Sequence, residues 1–174
     1  MNRGYLPEAV NNFNVYKNGN QLIGISGEIS LSDLSSVTET VEGAGLLGKY
    51  NTPIIGMYDS IQQEIPFRVL HDDIFSLANP AEVQDLTLRA SLQSTVKGTG
   101  AVDSTGMRMV FRGRPVGFKP GTAKIGGQMG ASVTLDCFYV LIEMDGKTMW
   151  EIDKLNNVFK VNGKDMLAKI RQQC

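Results

Sequence analysis

The sequence predicts a mainly β fold, an antiparallel β-sandwich or barrel with helices on its flank. Several segments alternate apolar and polar residues, which is the period of a half-buried strand. Asn18-Gly19 and Asp145-Gly146 lie between such segments and are strong signals for tight hairpins. Only residues 71–79 and 164–172 have the apolar spacing of a helix. We therefore expect about seven or eight strands, mostly linked by hairpins, with one short inserted helix and one C-terminal helix.

The N-terminal part is predicted to be an arm followed by a hairpin. Residues 1–12 are polar and contain Pro7, which is typical of an arm that stays outside the core. Phe13–Lys17 and Gln21–Asp33 alternate on either side of the Asn-Gly turn. Successive strand residues point to opposite faces, so the second strand would bury one set of side chains and expose another. The buried set would be Ile23, Ile25, Ile29 and Leu31, and the exposed set would be Glu28, Ser30 and Ser32.

A third strand and the first helix are predicted between Met57 and Asn79. Met57–Leu70 alternates, with Met57, Ile61, Ile65, Phe67 and Val69 on the apolar face and Tyr58, Ser60, Gln62, Glu64 and Arg68 on the polar face. Pro66 cannot donate to a ladder, which indicates a bulge or a locally unpaired position. Helical spacing begins after His71, where Asp72 or Asp73 can cap the helix.

The second half of the chain predicts the remaining strands, which are Asp85–Lys97, Met107–Phe118, Ser132–Met144, Thr148–Asp153 and Asn156–Val161. Ser132–Met144 is so apolar that it should be a central strand covered on both sides. Residues 119–130 form a glycine-rich loop. Asn162-Gly163 would lead into the final helix, whose buried stripe would be Met166, Leu167 and Ile170.

Three arginines, Arg108, Arg112 and Arg114, share one side of the strand Met107–Phe118. This row is compatible with a nucleic-acid or phosphate stripe. It is also expected of a solvated strand face, or of charges that pair with acids on a neighbouring subunit. The formal net charge of −1 favours the second explanation, because nucleic-acid-binding domains usually carry a basic surface.

The composition is that of one soluble domain spanning residues 1–174. Hydrophobic residues make up 42% and charged residues 20%, which is ordinary for a globular protein. No apolar run is long enough to cross a bilayer, and the N-terminus lacks the apolar core of a signal peptide. Cys137 and Cys174 do not indicate a disulfide framework. With His71 as the single histidine, we predict no metal site and no cofactor.

Residues 35–55 form a connection that is unusually long for a compact domain, because hairpin loops typically have ~2–5 residues. The segment carries many apolar residues, which a solvated linker would not contain. We expect this long loop, between strands two and three, to bury its apolar side chains on another copy of the same protein.

The same loop contains a partial match to a phosphate-binding motif. Gly43–Lys49 fits GxxxxGK, but Tyr50 stands where the motif needs Ser or Thr. A P-loop also follows a buried parallel strand and opens a helix, whereas Pro53 prevents a helix here. Nucleophile-elbow, HExxH and CxxC motifs do not occur. The sequence therefore does not predict an enzyme.

Four stretches resemble one known family. They are NVYKNGNQLIG (14–24), TETVEGAGLLGK (38–49), VFRGR (110–114) and YVLIEMDGKTMWEIDKLNNVFKVNGKDMLAKIR (139–171), of which the last is the most specific. The chain is similar, from about Asn12 to Arg171, to the major tail tube proteins of contractile-tailed bacteriophages and phage-tail-like bacteriocins. Residues 72–106 match this family less well.

The resemblance implies a structural subunit of the inner tail tube. Hexameric rings would stack into a hollow tube, with strands of neighbouring subunits joined into one lumenal barrel. The tube would be driven through the bacterial envelope and would conduct DNA in phages. The implied partners are further copies of the chain, the sheath protein, a baseplate initiator, a tail terminator, the tape measure protein in the lumen during assembly, and DNA in transit. The implied location is the virion tail, assembled in the host cytoplasm without a membrane anchor.

The resemblance also gives two sets of candidate site residues. The long loop would reach the adjacent ring through Thr38, Glu39, Val41, Glu42, Leu46, Leu47, Lys49 and Tyr50. The polar faces of strands two and three would supply lumen-facing residues, Glu28, Ser30, Ser32, Gln62, Glu64 and Arg68.

Three alternatives remain open from the sequence. A type VI secretion-type tube protein would have a similar fold and ring with different partners. A soluble β-barrel module would bind a ligand with the 119–130 loop. An enzyme with a degenerate P-loop would depend on Lys49 for nucleotide binding.

Overall fold

Nine antiparallel strands form the main sheet of the computed structural model, which describes residues 4–174. In chain order the strands are β1 (Tyr5–Lys17), β2 (Asn20–Gln21), β3 (Ser36–Val41), β4 (Tyr50–Tyr58), β5 (Ile61–Phe67), β6 (Gln84–Val96), β7 (Val102–Lys119), β8 (Ala131–Met144), β9 (Lys147–Asp153), β10 (Val158–Val161) and β11 (Lys164–Asp165). The two helices are α1 (Asp72–Leu77) and α2 (Ala168–Gln173). The predicted mainly β, antiparallel fold with two short helices is confirmed.

The main sheet is open and has the order β11-β10-β9-β8-β7-β6-β1-β2, while β5 pairs with β8. Strands β3 and β4 form a separate two-stranded sheet. Neither helix among the described residues has the length and apolar character needed to cross a bilayer.

Strand β8 lies at the centre, as its apolar sequence predicts. One edge pairs with β7 along almost its whole length. The other edge is divided, because Ala131–Cys137 pairs with β5 and Tyr139–Met144 pairs with β9. Val133, Leu135 and Val140 of β8 are completely buried.

The core is one cluster, formed by the buried side chains of the long strands of the main sheet. Strand β6 confirms its predicted alternation, since Leu86, Leu88 and Ala90 are buried in this cluster. Helix α1 adds Ile74 and Leu77 to the core, whereas Phe75 is exposed. Cys137 is a free thiol inside the cluster, and burial raises its pKa to about 12. Cys174, the last residue, is exposed and also free.

The predicted strand Gln21–Asp33 is wrong. Only Asn20–Gln21 pairs, and the chain then runs irregularly to Ser35. Gly24 has a φ of +83°, a left-handed conformation that interrupts the regular course of a strand. Its backbone forms one isolated β-bridge with the sheet, between Ile25 and Phe67. Ile23 is 76% exposed and Leu31 is 44% exposed, so the predicted buried face does not form.

A buried glutamine fastens this irregular segment to β5. Gln63 has no exposed surface. Its amide nitrogen donates to the carbonyls of Ser30 (2.9 Å) and Glu64 (2.8 Å). Its oxygen accepts from the backbone N–H (3.1 Å) and the hydroxyl (2.9 Å) of Ser32. One side chain thus supplies bonds that a neighbouring strand would otherwise make.

The predicted strand Met57–Leu70 is two strands in the structure. Strands β4 and β5 are separated at Asp59-Ser60, and the end residues Met57 and Val69 of the predicted apolar face are exposed. The bulge expected at Pro66 is absent, because the register between β5 and β8 is continuous. The Pro66 carbonyl accepts from Ser26 N–H (3.0 Å) and so faces away from β8. The nitrogen of a strand residue lies on the same edge as its carbonyl, so the missing N–H of Pro66 removes no hydrogen bond between β5 and β8.

The N-terminal segment is not a free arm from Tyr5 onward. Residues 5–12 belong to β1 and pair with β6, although their side chains are exposed. The Glu8 carboxylate accepts from Gln93 (2.8 Å) and Thr95 (2.6 Å) of β6. Residues 1–3 of the predicted arm lie outside the described residues.

The ends of both helices differ from expectation. His71, not Asp72 or Asp73, is the N-cap of α1, and the two aspartates lie in the first turn, where the helix dipole favours acids. At the C-terminus, Asn162-Gly163 turns β10 into β11, so the final helix starts at Ala168. Leu167 is buried as predicted, but Met166 and Ile170 are exposed.

We predict that Gln63→Leu lowers the free energy of unfolding by ~1–3 kcal/mol, because buried hydrogen bonds are lost without replacement. Denaturant unfolding measures this loss. The matched control is Gln62→Leu, whose side chain is on the exposed face of the same strand and whose effect should stay within ~0.5 kcal/mol. Equal losses in the two variants would contradict the fastening role of Gln63.

Candidate assembly surfaces

The segment predicted as a long loop is a β-hairpin. Strand β3 pairs with β4 from Thr38↔Pro53 to Val41↔Tyr50, and residues 42–49 form the turn. Lys49 Nζ lies 2.6 Å from Glu42 Oε2 across the base of the turn. The Thr40 hydroxyl donates to Asn51 Oδ1 (2.8 Å). Residues 38–41 and 50–53 of this segment therefore form an antiparallel ladder.

The hairpin tip presents apolar side chains to solvent. Leu46 and Leu47 are both exposed, and Leu47 is fully so. The turn is made by Gly45 and Gly48, which have φ values of +92° and +129°. Strand β4 follows at Tyr50, so the partial GxxxxGK match does not open a helix, as a P-loop requires.

All eight predicted loop residues lie on this hairpin. Val41 is half-buried and the other seven are exposed; they are Thr38, Glu39, Glu42, Leu46, Leu47, Lys49 and Tyr50. The structure therefore brings the predicted set together on one projecting element.

The lower part of the hairpin contains an apolar bulge that the sequence did not indicate. The register passes from Ser36↔Tyr58 to Thr38↔Pro53, so residues 54–57 of β4 have no partners on β3. Ile54, Ile55 and Met57 in this bulge are all exposed. The hairpin thus carries two apolar patches, one at the tip and one near the root.

Aromatic packing fixes the hairpin root to β9 and β10. The Tyr58 ring lies 6.1 Å from Trp150 and 5.4 Å from Phe159, measured between centroids. Lys154 Nζ donates to the Asp59 carbonyl (2.7 Å), and Asp59 N–H donates to the Ser35 carbonyl (3.0 Å). These contacts hold both ends of the hairpin on the main sheet.

Gly56 makes the closest approach between the hairpin and the C-terminal segment. Its φ is +81°, and a Cβ atom at this position would lie 2.7 Å from Cδ2 of Leu167. No local sequence pattern indicates this contact, because Leu167 is distant from Gly56 along the chain.

The second predicted site, a polar strand face, is only partly assembled. Gln62, Glu64 and Arg68 are exposed on one side of β5 and the segment after it, opposite a buried side. Glu28 and Ser30 are exposed but lie on the irregular segment, not on a strand. Ser32 is half-buried and bonded to Gln63, so its hydroxyl is already engaged.

The exposed face of β5 continues across β8 and β7. Glu64 lies opposite Thr134 of β8, with Lys119 Nζ 3.6 Å from its Oε1. A hydrogen bond from the Ser132 side chain, with a smaller contribution from Lys119, lowers the pKa of Glu64. Glu64 therefore stays ionised beside Lys119, which gives the face mixed charge.

Two of the three arginines in the row are paired with acids of the same chain. Arg108 Nε lies 2.8 Å from Glu143 and Arg112 Nε 2.6 Å from Asp85. The Arg112 guanidinium also lies 4.8 Å from the centre of the Tyr139 ring. Pairing on neighbouring strands, not on a neighbouring subunit, satisfies these two charges. This arrangement does not favour a phosphate-binding stripe.

Within residues 4–174 there is no cluster of three or more histidine, cysteine, aspartate or glutamate side chains able to hold a metal ion. The surfaces described above are instead an apolar hairpin and a polar sheet face of mixed charge. They define a β protein whose distinctive surfaces are suited to contacts with other protein chains.

The chain belongs to the family described as phage tail tube protein FII, which matches residues 7–174. It is 27% identical over 168 residues to the tail tube protein of Escherichia phage P2, covering 96% of both chains. The protein is thus a tail tube protein of a contractile phage tail or tail-like particle, a structural family of the virion tail. The family match supports the predicted resemblance over the enzyme and ligand-binding alternatives.

A solved structure shows the same fold. It is the sheath/tube terminator of an extracellular contractile injection system in the extended state. The TM-score is 0.57 at 18% identity, and the match covers 79% of this chain and 97% of the other.

We predict that Gly56→Ala destabilises the protein more than Gly45→Ala. Both residues have positive φ, so each substitution adds backbone strain of ~1–3 kcal/mol, but only the Gly56 variant also forces Leu167 to move. Denaturant unfolding followed by the fluorescence of Trp150, the single tryptophan, measures the difference. Adding Leu167→Ala should recover part of the loss in the Gly56 variant, and an equal loss in both single variants would contradict the packing argument.

Proposed function

We propose that this chain forms hexameric rings that stack into the hollow inner tube of a contractile tail. The observation that carries the proposal is the hairpin β3–β4. It forms its own small sheet, is anchored only at its root, and presents two apolar patches to solvent. Projecting apolar surface of this kind is typical of protein–protein contact sites.

The hairpin is proposed to reach the adjacent ring. Its stacking residues are Thr38, Glu39, Val41, Glu42, Leu46, Leu47, Lys49 and Tyr50. Because the hairpin would meet a different surface on the next copy, the contact is heterologous and can repeat without closing. Repetition along an axis then gives a tube.

The polar sheet face is proposed to line the lumen, with Glu28, Ser30, Ser32, Gln62, Glu64 and Arg68 as its candidate residues. Phosphate contacts dominate the affinity of proteins for DNA, so a conduit must avoid a basic surface. Acids and bases that occur together, as at Glu64 and Lys119, keep this face close to neutral.

The role of the tube is mechanical. The sheath is proposed to contract around it and drive it through the bacterial envelope, and DNA passes through the lumen where the particle is a phage. Further proposed partners are the baseplate initiator, the tail terminator and the tape measure protein. Assembly is proposed to occur in the host cytoplasm, and the proposed role requires neither catalysis nor a cofactor.

The proposal is tested by negative-stain electron microscopy of the purified chain and of a variant in which a short Gly-Ser linker replaces residues 38–50. We expect long hollow tubes from the native chain and only isolated rings or monomers from the variant, because the stacking contact is removed.

The matched control replaces residues 123–127, the exposed end of the glycine-rich loop, with a linker of equal length. Tubes should persist in this control. Tubes from the variant lacking residues 38–50 would contradict the role of the hairpin. Monomers from all three proteins at every concentration would count against tube formation itself.

A further inference from the structure

We propose that the hairpin tip of one copy inserts into an apolar groove beside β1, β6 and β7 of a second copy. This inference rests on the proposed function and adds to it the surface that receives the hairpin. The groove is separate in sequence and in space from the hairpin strands, so both surfaces can be occupied in the same chain.

The groove has a volume of about 220 Å³. Its apolar lining includes Val10, Phe13, Leu31, Leu88, Ala90 and Met107. Small-molecule sites usually have ~300–1,000 Å³, so this groove is small for a ligand. An apolar cavity of ~150 Å³ can hold benzene, so the available space suits an aliphatic side chain.

The groove lies where residues 27–31 of the irregular segment cover the inner face of the sheet only in part. Leu88 and Ala90 belong to the core side of β6, and Phe13 packs against the same cluster. The covering segment, residues 22–35, is irregular, and Gly27, which has no side chain, lines the groove. An apolar side chain from outside would therefore extend the existing core.

The hairpin tip supplies such a side chain. Leu46 and Leu47 are adjacent, exposed and raised on a narrow two-stranded element. Removing a leucine side chain from water favours association, and the groove offers carbon atoms on several sides.

Charges beside the two surfaces are complementary. Glu28 lines the groove and makes no ion pair among residues 4–174. Insertion of the tip would remove Glu28 from the candidate lumen-facing set, because its carboxylate would face Lys49 of the inserted tip. Lys49 lies two residues after Leu47 and pairs with Glu42, but both side chains are largely exposed. An exposed pair of this kind is weak, so Lys49 can turn towards Glu28 when the tip is inserted.

Disulfide trapping between two single variants tests this docking. One protein carries Leu47→Cys and the other carries Leu31→Cys with a size tag, both in a Cys174→Ser background. They are assembled together, oxidised and separated without reductant. A disulfide requires Cα atoms within ~4.4–6.8 Å, so a heterodimer band is expected only if the tip reaches the groove.

The matched control pairs Leu47→Cys with Ile125→Cys, whose side chain is also fully exposed. We expect several-fold less heterodimer from this control. If Leu31→Cys prevents folding, Val10→Cys, on an exposed position of the same groove, replaces it.

Electron microscopy of the same samples distinguishes failure of the groove proposal from failure of the tube proposal. Tubes without the heterodimer, or with equal heterodimer in the control, would overturn the groove and leave the tube proposal intact. Failure of the native chain to form any assembly would instead overturn the proposed function.

Discussion

The division of one edge of β8 determines the course of much of the chain. Strand β5 occupies this edge up to Cys137, and β9 occupies it from Tyr139. The residues before β5 therefore cannot continue along β8, because β9 already fills that position. The chain leaves the sheet at Asp59-Ser60, and β4 pairs with β3 instead. The projecting hairpin, on which the proposed stacking depends, is a consequence of this competition for one strand edge.

Two other features fix the position at which the hairpin leaves the main sheet. The Tyr58 ring packs against Trp150 and Phe159, so the first residues outside the sheet remain attached to β9 and β10. Gly56 lets the backbone approach Leu167. Because these contacts act only at the root, the apolar residues farther out have no covering in a single chain. The hairpin is therefore fixed at its root, while the apolar side chains at its tip are exposed to solvent.

Regular patterns in the sequence were sufficient to predict the central elements. The nearly continuous apolar run of β8 and the alternation of β6 correspond to observed strands, and Asn18 and Asp145 adopt the positive φ that tight turns require. The antiparallel class followed from such patterns, whereas the tail tube family followed from the resemblance of four stretches, of which the C-terminal one is the most specific. The candidate loop residues also proved to share one element.

Predictions from the local sequence pattern were wrong where contacts with distant residues determine the conformation. Residues 21–33 alternate like a strand, but Gly24 turns the chain and Gln63 binds the segment through its side chain. The position of Gln63 between Ile61 and Ile65 was the available signal that it would be buried. At the C-terminus, pairing of Lys164-Asp165 with β10 competes with helix formation and delays α2. The apolar bulge of β4 depends on the register between β3 and β4, and the groove beside β1 depends on how residues 22–35 pack on the sheet. Neither property can be predicted from the pattern of a single sequence.

We propose that the hairpin tip is buried only in the assembly, against another copy of the chain. Amide hydrogen exchange of the free subunit and of the tube tests it most directly. We predict that residues 42–49 of the turn exchange rapidly in the subunit and are strongly protected in the tube, while β8 is protected in both. Equal protection of residues 42–49 in the two forms would contradict this proposal.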